Sequence, residues 1–253
     1  MRPALRQTID RLQGVARGTR RRAVSGLEAA WPSEVQLALE SLEAPWQADD
    51  PDDYCPRCGA SAGPGSVTAN GCVFCRHRRQ PWDRVTRLSA YDEPIDGWIK
   101  AMKFGGQWSW ARWMGTQLAP RVGQPIDADK MLVTAVPMHW ARRWRRGFNQ
   151  AHLIADALAK ANGWRCLHLL KRTRLTHPQT AVVHSNRHAN VQGSVSIPPI
   201  DLTGWQVLLV DDVKTTGATA AECTKLLKQH GARSIQLAVA AVADPKGKQF
   251  KAI

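Results

Sequence analysis

Four of the six cysteines lie in two Cys-x-x-Cys pairs, a spacing that lets two thiolates bind one metal ion. Cys55 and Cys58 form the first pair, and Cys72 and Cys75 form the second after thirteen intervening residues. Two such pairs provide the four thiolates of a closed, tetrahedral zinc site. Disulfide bonds are the alternative, but this pattern in a chain of cytosolic character favours metal. The spacing therefore predicts a structural zinc site.

A second group of chemically active residues lies in the run LLVDDVKTTGAT at 208–219. The apolar stretch 207–210 predicts a buried strand that ends in two adjacent carboxylates, Asp211 and Asp212. The threonines and glycine that follow predict a tight turn into a helix, where backbone N–H groups and the helix N-terminus favour a bound anion. Carboxylates beside a phosphate would accept hydrogen bonds from sugar hydroxyls or face a hard divalent cation. The run therefore predicts a phosphate site with two carboxylates at its edge.

Three other interpretations of Asp211 and Asp212 are weaker. A strand that ends in two acids is also typical of a Walker B element, but the chain has no GxxxxGK[ST] loop. A response-regulator receiver domain begins with such acids and needs roughly a hundred residues, whereas only about forty follow here. Helix capping by the two acids alone leaves the threonine-glycine turn unexplained.

The elements that position these residues alternate between strand and helix. Strands are predicted at 85–91, 131–136, 166–170, 207–210 and 234–242, and helices at 95–104, 149–161 and 219–230. Apolar strands separated by helices predict an α/β fold with a mostly parallel sheet covered on both faces. Ligands bind at the carboxyl ends of such strands, so the loops 137–148 and 211–218 form the predicted site. The long, basic segment 171–194 is predicted to be a functional loop. Cys166 and Cys223 fall on apolar patterns and are expected to be buried.

The basic excess of the 253-residue chain is concentrated in two places. Residues 1–25 hold seven arginines and one acid, and residues 131–190 hold ten Lys or Arg and one acid. Residues 26–53, by contrast, hold eight acids and no base. No apolar run approaches the roughly 18 residues of a membrane span, and the N-terminus lacks the apolar core of a secretory signal. We therefore expect a soluble, cytoplasmic protein of one or two domains.

The run 208–219 resembles the phosphoribosyl pyrophosphate (PRPP) signature of type I phosphoribosyltransferases. Together with further motifs it resembles the ComF family of competence-associated proteins over roughly residues 54–244. Those motifs are the two Cys-x-x-Cys pairs, AVPMH at 135–139, RGFNQ at 146–150, PQ at 178–179 and the stretch 187–193. The resemblance implies a type I phosphoribosyltransferase-like sheet flanked by helices, preceded by a small zinc module. The expected divisions are a basic arm with an acidic helical extension at 1–53, the zinc module at 54–84 and the phosphoribosyltransferase-like domain at 85–253, with a possible hood at 85–130.

The resemblance also implies a set of site residues. Asp211 and Asp212 would hold the ribose hydroxyls and the Mg²⁺ face of PRPP, with Arg146 and Arg172 as further catalytic candidates. The remaining PRPP-binding candidates are Lys214, Thr215, Thr216, Gly217, Ala218, Thr219, Arg145, Gln150, Gln179, Arg187 and Asn190. Lys214 is expected either to pair with one of the acids or to be solvated. Many family members have an acid, proposed as a proton acceptor, where this chain has Thr215, and a threonine cannot serve as that base.

Two functions of different class follow. The first is Mg²⁺-dependent phosphoribosyl transfer, in which a nitrogen acceptor displaces pyrophosphate from the anomeric carbon and the arginines and Mg²⁺ stabilise the leaving charge. The alternative is a non-catalytic accessory protein that handles single-stranded DNA during DNA uptake and uses the PRPP site for binding or regulation. The arginine arm, the zinc module and the stretch with Trp108, Trp110 and Trp113 motivate it, because basic and exposed aromatic side chains together bind single strands. Packing of these tryptophans against the main domain is the simpler interpretation.

Overall fold

The computed structural model describes residues 32–173 and 193–244. Its helices are α1 Pro32–Glu40, α2 Ile95–Phe104, α3 Ser109–Leu118, α4 Trp140–Arg146, α5 Gln150–Asn162 and α6 Ala218–Gln229. Its strands are β1 Arg84–Ala90, β2 Met131–Ala135, β3 Arg165–Cys166, β4 Lys171–Arg172, β5 Val195–Ser196, β6 Gln206–Lys214 and β7 Ser234–Val242. Within these residues no helix is both long and apolar enough to cross a membrane.

Five strands form one parallel sheet in the order β1-β7-β6-β2-β3. The central strand β6 pairs with β7 on one side and with β2 on the other, and both pairings are parallel. Strands β1 and β3 extend the sheet at its two edges, again in parallel. Strands β4 and β5 form a separate antiparallel ladder of two residue pairs. The predicted α/β fold with a mostly parallel sheet is confirmed.

The apolar run of β6 is explained by helices on both faces of the sheet. Leu208 and Val210 point to one face and join the core formed with α2, α3 and α5. Val207 and Leu209 point to the other face and join the core beneath α6. All four side chains are buried. Because successive strand residues point to opposite faces, both sets must be apolar when both faces are covered.

Four tryptophans form a packed aromatic cluster: Trp46, Trp98, Trp110 and Trp113. Trp98 stacks on Trp110 with ring centroids 4.6 Å apart. Trp46 and Trp113 complete the cluster through edge and tilted contacts at 5.1 to 5.5 Å. Trp98 and Trp110 are buried, and Trp46 and Trp113 are packed against the same core. Trp108 lies under the guanidinium of Arg112, 4.9 Å from it. The simpler interpretation of Trp110 and Trp113, packing against the domain, is confirmed.

Two strand predictions were wrong in length. The predicted strand at 166–170 is β3, which ends at Cys166. Leu167 still donates its N–H to the carbonyl of Val133 in β2, and the leucines that follow are buried beside the sheet. The predicted strand at 207–210 continues to Lys214, and Asp211 aligns with Val239 of β7. Burial of an apolar run does not require sheet pairing, and a polar residue can continue a strand whose neighbour extends alongside it.

The predicted loop 137–148 contains helix α4. The ring nitrogen Nδ1 of His139 accepts a hydrogen bond from the N–H of Ala141, which caps the helix start. Gly147, with a φ of 80°, ends the helix in the left-handed conformation. Sequence periodicity missed α4 because its two tryptophans, Trp140 and Trp144, are exposed rather than buried. Without a buried stripe, a short helix leaves no apolar pattern.

Two glycines in helices test how tightly α3 is packed. A Cβ atom on Gly115 would lie 2.4 Å from the carbonyl oxygen of Ile154 in α5, whereas one on Gly97 of α2 would meet nothing within 4 Å. We expect Gly115→Ala to lower the free energy of unfolding by about 1–3 kcal/mol through overpacking. Gly97→Ala should raise it by roughly 0.5–1 kcal/mol through helix propensity. Urea denaturation measures both, and a Gly115→Ala variant as stable as Gly97→Ala would contradict the close packing.

Candidate functional site

A cavity of about 340 Å³ opens at the carboxyl ends of β2 and β6, beside the start of α6. This volume lies in the range of small-molecule sites. It brings together most residues that the sequence predicted for the site: Arg146, Gln150, Arg172, Asp211, Asp212, Lys214, Thr215, Thr216, Gly217, Ala218 and Thr219. The side chain of Arg145, and Gln179, Arg187 and Asn190, lie outside what the structure describes.

Asp211 and Asp212 lie side by side on the cavity wall, where burial and mutual repulsion disfavour two negative charges. The Oδ1 atom of Asp211 accepts a hydrogen bond from the N–H of Asp212 at 2.9 Å. The Oδ1 atom of Asp212 accepts one from the N–H of Val213 at 2.6 Å. Burial, followed by the neighbouring charge of Asp212, raises the pKa of Asp211 to about 8. A cation or a group of hydroxyl donors in the cavity would lower this pKa by stabilising the charged carboxylate.

The cation beside these acids comes from α2, which the sequence analysis had not placed at the site. The Nζ atom of Lys103 lies 3.1 Å from the Oδ2 atom of Asp212. Lys214, by contrast, pairs with neither acid. Its Nζ atom lies 5.9 Å from the ring centroid of Trp82, and burial lowers the pKa of its ammonium group. Both expectations for Lys214, an acid partner or full solvation, were therefore wrong.

The turn between β6 and α6 is formed by small residues under tight steric limits. Gly217 has a φ of 75° and precedes the first helical residue, Ala218. A Cβ atom on Gly217 would lie 2.7 Å from the indole of Trp82, so a side chain fits neither the conformation nor the space. The hydroxyl of Thr216 accepts a hydrogen bond from the N–H of Ala218 at 3.4 Å. Residues 215–219 line the cavity, so the N-terminus of α6 lies at the cavity, where a helix favours a bound anion.

Gln150 is a buried polar group that a ligand could satisfy. Its side chain is fully buried and lines the cavity, and among the described residues neither its Oε1 nor its Nε2 atom has a hydrogen-bond partner. An unpaired buried amide costs about 1–3 kcal/mol, so a polar ligand that pairs with it would recover that energy. Its neighbour Asn149 caps α5 through the N–H of Ala151 and donates to the carbonyl of Val136. These two bonds fix the start of α5 at the cavity.

The four cysteines of the two Cys-x-x-Cys pairs form a buried cluster. Their sulfur atoms are separated by 3.7 Å between Cys55 and Cys75, 3.6 Å between Cys58 and Cys72, and 3.9 Å between Cys72 and Cys75. Zinc–sulfur bonds of about 2.3 Å in a tetrahedron require sulfur–sulfur edges of about 3.8 Å. All six cysteines of the chain are free, so the disulfide alternative was wrong. The cluster fits a tetrahedral metal ion.

Residues around the cysteine cluster also pack against the wall of the cavity. The indole N–H of Trp82, whose ring abuts the turn, donates to the carbonyl of Arg57 at 2.8 Å. Arg87 of β1 is almost fully buried and donates to the carbonyl of Gly59 at 2.7 Å. The same guanidinium contacts a carboxylate oxygen of Asp49 at 2.7 Å. The segment with the cysteines is therefore held against both the sheet and the turn.

Comparison with known proteins agrees with this fold. Residues 149–252 match the phosphoribosyl transferase domain, so the chain contains a domain of the phosphoribosyltransferase class. It is 31% identical over 192 residues to DNA utilization protein YhgH of Salmonella typhi, covering 72% of this chain and 81% of that protein. It is 30% identical over 198 residues to competence protein F of Haemophilus influenzae, covering 73% and 82%. The chain belongs to the ComF family.

Among solved structures, the chain is similar to glutamine PRPP amidotransferase from B. subtilis. The match has 19% sequence identity and a TM-score of 0.35. It covers 51% of this chain and 25% of that one, so this chain spans about a quarter of the larger protein.

The raised pKa of Asp211 predicts how stability depends on pH. The folded carboxyl holds its proton up to about pH 8 against an ordinary value of 3.8, so the folded state binds the proton more tightly than the unfolded chain. This contribution is present at low pH and is lost as pH rises through about 4 to 8. Asp211→Asn has no proton to lose. We expect it to exceed the wild type in free energy of unfolding by at least about 1 kcal/mol at pH 8, and by less at pH 4.

Urea denaturation without added ligand or divalent cation measures this difference. Asp127→Asn, at an exposed carboxylate, is the matched control and should show no such trend. A difference between Asp211→Asn and wild type that stays constant from about pH 4 to about pH 8 would count against the buried carboxyl.

Proposed function

We propose that the cavity binds PRPP and that the protein transfers its phosphoribosyl group to a nitrogen acceptor, with release of pyrophosphate. One observation carries this proposal: Asp211 and Asp212 stand beside the anion-accepting turn, and Arg146 and Arg172 line the same cavity. Ribose hydroxyls, a 5′-phosphate and a pyrophosphate are the groups that these three features suit. The matched phosphoribosyl transferase domain supports this assignment.

In the proposed reaction the chain's residues bind and orient rather than attack. The turn from Thr215 to Thr219 holds the 5′-phosphate, and the carboxylates accept hydrogen bonds from the ribose hydroxyls. Arg146 and Arg172 stabilise the charge on pyrophosphate as its bond to the anomeric carbon breaks. The acceptor nitrogen forms the new bond and releases its proton to solvent. Thr215 provides no general base, so catalysis would depend on positioning and electrostatics.

Two metal ions belong to this proposal. The carboxylates of Asp211 and Asp212 are hard oxygen donors of the kind that Mg²⁺ prefers, and Mg²⁺ bound with PRPP would neutralise pyrophosphate charge. Zinc would be bound by the four cysteines as a structural ion, because the sulfur spacing matches its tetrahedral geometry. The zinc module at 54–84 and the phosphoribosyltransferase-like domain at 85–253 remain the proposed divisions, with 85–130 as the proposed hood.

The double substitution Asp211→Asn, Asp212→Asn tests the PRPP site. Above about pH 8, where Asp211 is charged, two charged acceptors are lost, each worth about 1.5 kcal/mol or more, so PRPP affinity should fall by at least about 100-fold. Isothermal titration calorimetry with PRPP and Mg²⁺ measures binding, and pyrophosphate release across a panel of nitrogen bases measures transfer. The exposed pair Asp127→Asn, Asp129→Asn makes the same charge change away from the cavity and should leave affinity unchanged. A wild-type protein that does not bind PRPP would refute the proposal.

As a second function we propose that α4 binds single-stranded DNA. Trp140 and Trp144 are 70% and 87% exposed and lie one helical turn apart, on the same side of α4. The sequence of this helix, WARRWRR, has four arginines and no acid. Exposed aromatic rings stack on bases, while arginines contact the phosphates. The relatives named for DNA utilization and competence support a role of this kind.

The tryptophans that first suggested DNA binding are not the ones proposed here. Trp110 is buried and Trp113 is packed in the aromatic cluster, so neither presents a free ring face to a base. The arginine arm at 1–25 lies outside the described residues. Helix α4 therefore carries the proposal.

The double substitution Trp140→Ala, Trp144→Ala tests this surface. A base stacked on an aromatic ring contributes about 1–3 kcal/mol, so affinity for a labelled oligonucleotide should fall at least about tenfold. Fluorescence anisotropy at two salt concentrations measures affinity, which should also fall steeply with salt in the wild type. Ile126→Ala removes another exposed apolar side chain and should have no effect. Unchanged affinity in the double variant would contradict a binding role for α4.

A further inference from the structure

A second group of metal-binding side chains lies on the opposite edge of the sheet from the cysteine cluster. Asp156 of α5, Cys166 of β3 and His168 just beyond it place one ligand atom each within 4.8 Å of one another. The Nε2 atom of His168 lies 3.0 Å from the Oδ1 atom of Asp156. Helix and edge strand thus contribute to one cluster of sulfur, nitrogen and oxygen donors.

This donor set matches one class of ion. Zinc accepts thiolate, imidazole and carboxylate ligands together, whereas Mg²⁺ and Ca²⁺ require oxygen ligands. Tetrahedral zinc with these ligands needs donor separations of about 3.3–3.8 Å. The three donor atoms lie within 4.8 Å of one another, so their largest separation exceeds that by at most about 1 Å. The side chains of Asp156 and His168 are 38% and 25% exposed, so they have room to close that distance and admit an ion from solvent.

A neighbouring histidine orients the cluster. The ring of His152 stacks on that of His168, with centroids 3.8 Å apart and planes 6° from parallel. The lone pairs of two parallel imidazoles point in parallel directions and do not converge on one ion. His152 therefore acts as a positioning residue that fixes the plane of His168. A water molecule would complete the fourth position of a tetrahedral ion held by the three side chains.

We propose that Asp156, Cys166 and His168 bind a second Zn²⁺, which cross-links α5 to the edge of the sheet. Strand β3 pairs with β2 through only two residue pairs, so this edge has few backbone hydrogen bonds of its own. The chain continues from His168 to Arg172, which lines the cavity. An ion at this cluster would therefore fix the start of the segment that presents Arg172.

The test adds Co²⁺ to the full chain after one equivalent of Zn²⁺ has been bound. Co²⁺ does not displace Zn²⁺ from four thiolates, because it binds such sites more weakly, so cobalt with a thiolate charge-transfer band reports a further thiolate site. We expect one equivalent of Co²⁺ to bind with a thiolate-to-cobalt charge-transfer absorption. Cys166→Ala should abolish that absorption. His168→Gln should weaken Co²⁺ binding by more than about 100-fold, because loss of a residue that only supports a metal ligand already costs roughly 10–100-fold in affinity.

Matched controls separate the site from general effects of substitution. Cys223→Ala removes another buried thiol, and His230→Gln removes a histidine at the end of α6, so both should keep the second equivalent. Thermal unfolding should show a rise in midpoint when Zn²⁺ is added beyond one equivalent, in the wild type and controls alone. If the wild type binds the first equivalent of Zn²⁺ and no Co²⁺ after it, the proposal is overturned. An undiminished charge-transfer band in Cys166→Ala would also overturn it.

Discussion

Placing two carboxylates at the end of a strand that is buried on both faces carries a large desolvation cost. The raised pKa of Asp211, about 8, is the mark of that cost. The positive charges of Lys103 from α2 and Arg172 from β4 lower the pKa of Asp211 and so offset part of that cost. Lys103 also contacts Asp212 directly. Helix α2 and strand β4, which lie far apart in the chain, are therefore both attracted to the carboxylates at the end of β6. The site depends on the sheet for its position and on these cations for its charge balance.

The four-cysteine cluster is tied to that site by packing. The ring of Trp82 leaves space for no side chain at residue 217, so the turn of the proposed phosphate site rests on a residue of the cysteine segment. Gly59 is equally confined, since its Cβ would lie 2.9 Å from side-chain atoms of Val85 and Val242. The buried guanidinium of Arg87 holds the same segment through the carbonyl of Gly59. A structural ion in this cluster would therefore stabilise the wall of the cavity as well as its own loops.

Local patterns predicted the parts of the site that lie together in sequence. The apolar strand, the paired acids and the small residues after them predicted the cavity wall from Asp211 to Thr219, because strand end, turn and helix start are contiguous. Lys103 and Trp82 could not be predicted, because their contacts arise only once α2 and the cysteine segment pack on the sheet. Helix α4 was missed because its tryptophans face solvent. Cys166 was expected to be buried like Cys223, yet it is only partly buried, because an edge strand leaves one side open.

Helix α4 contributes positive charge both to the proposed PRPP site and to the proposed DNA-binding surface. Arg146, at its end, lines the cavity and lies over the ring of Phe104, whereas Arg143, Trp140 and Trp144 are exposed. An anion in the cavity would offset the charge of Arg146 and so weaken the attraction of the adjacent surface for phosphates. Linkage is reciprocal, so DNA on α4 would weaken binding of the anion by the same factor. If both proposals hold, the two ligands compete through charge without sharing a single contact, and the basic excess of residues 131–190 serves both.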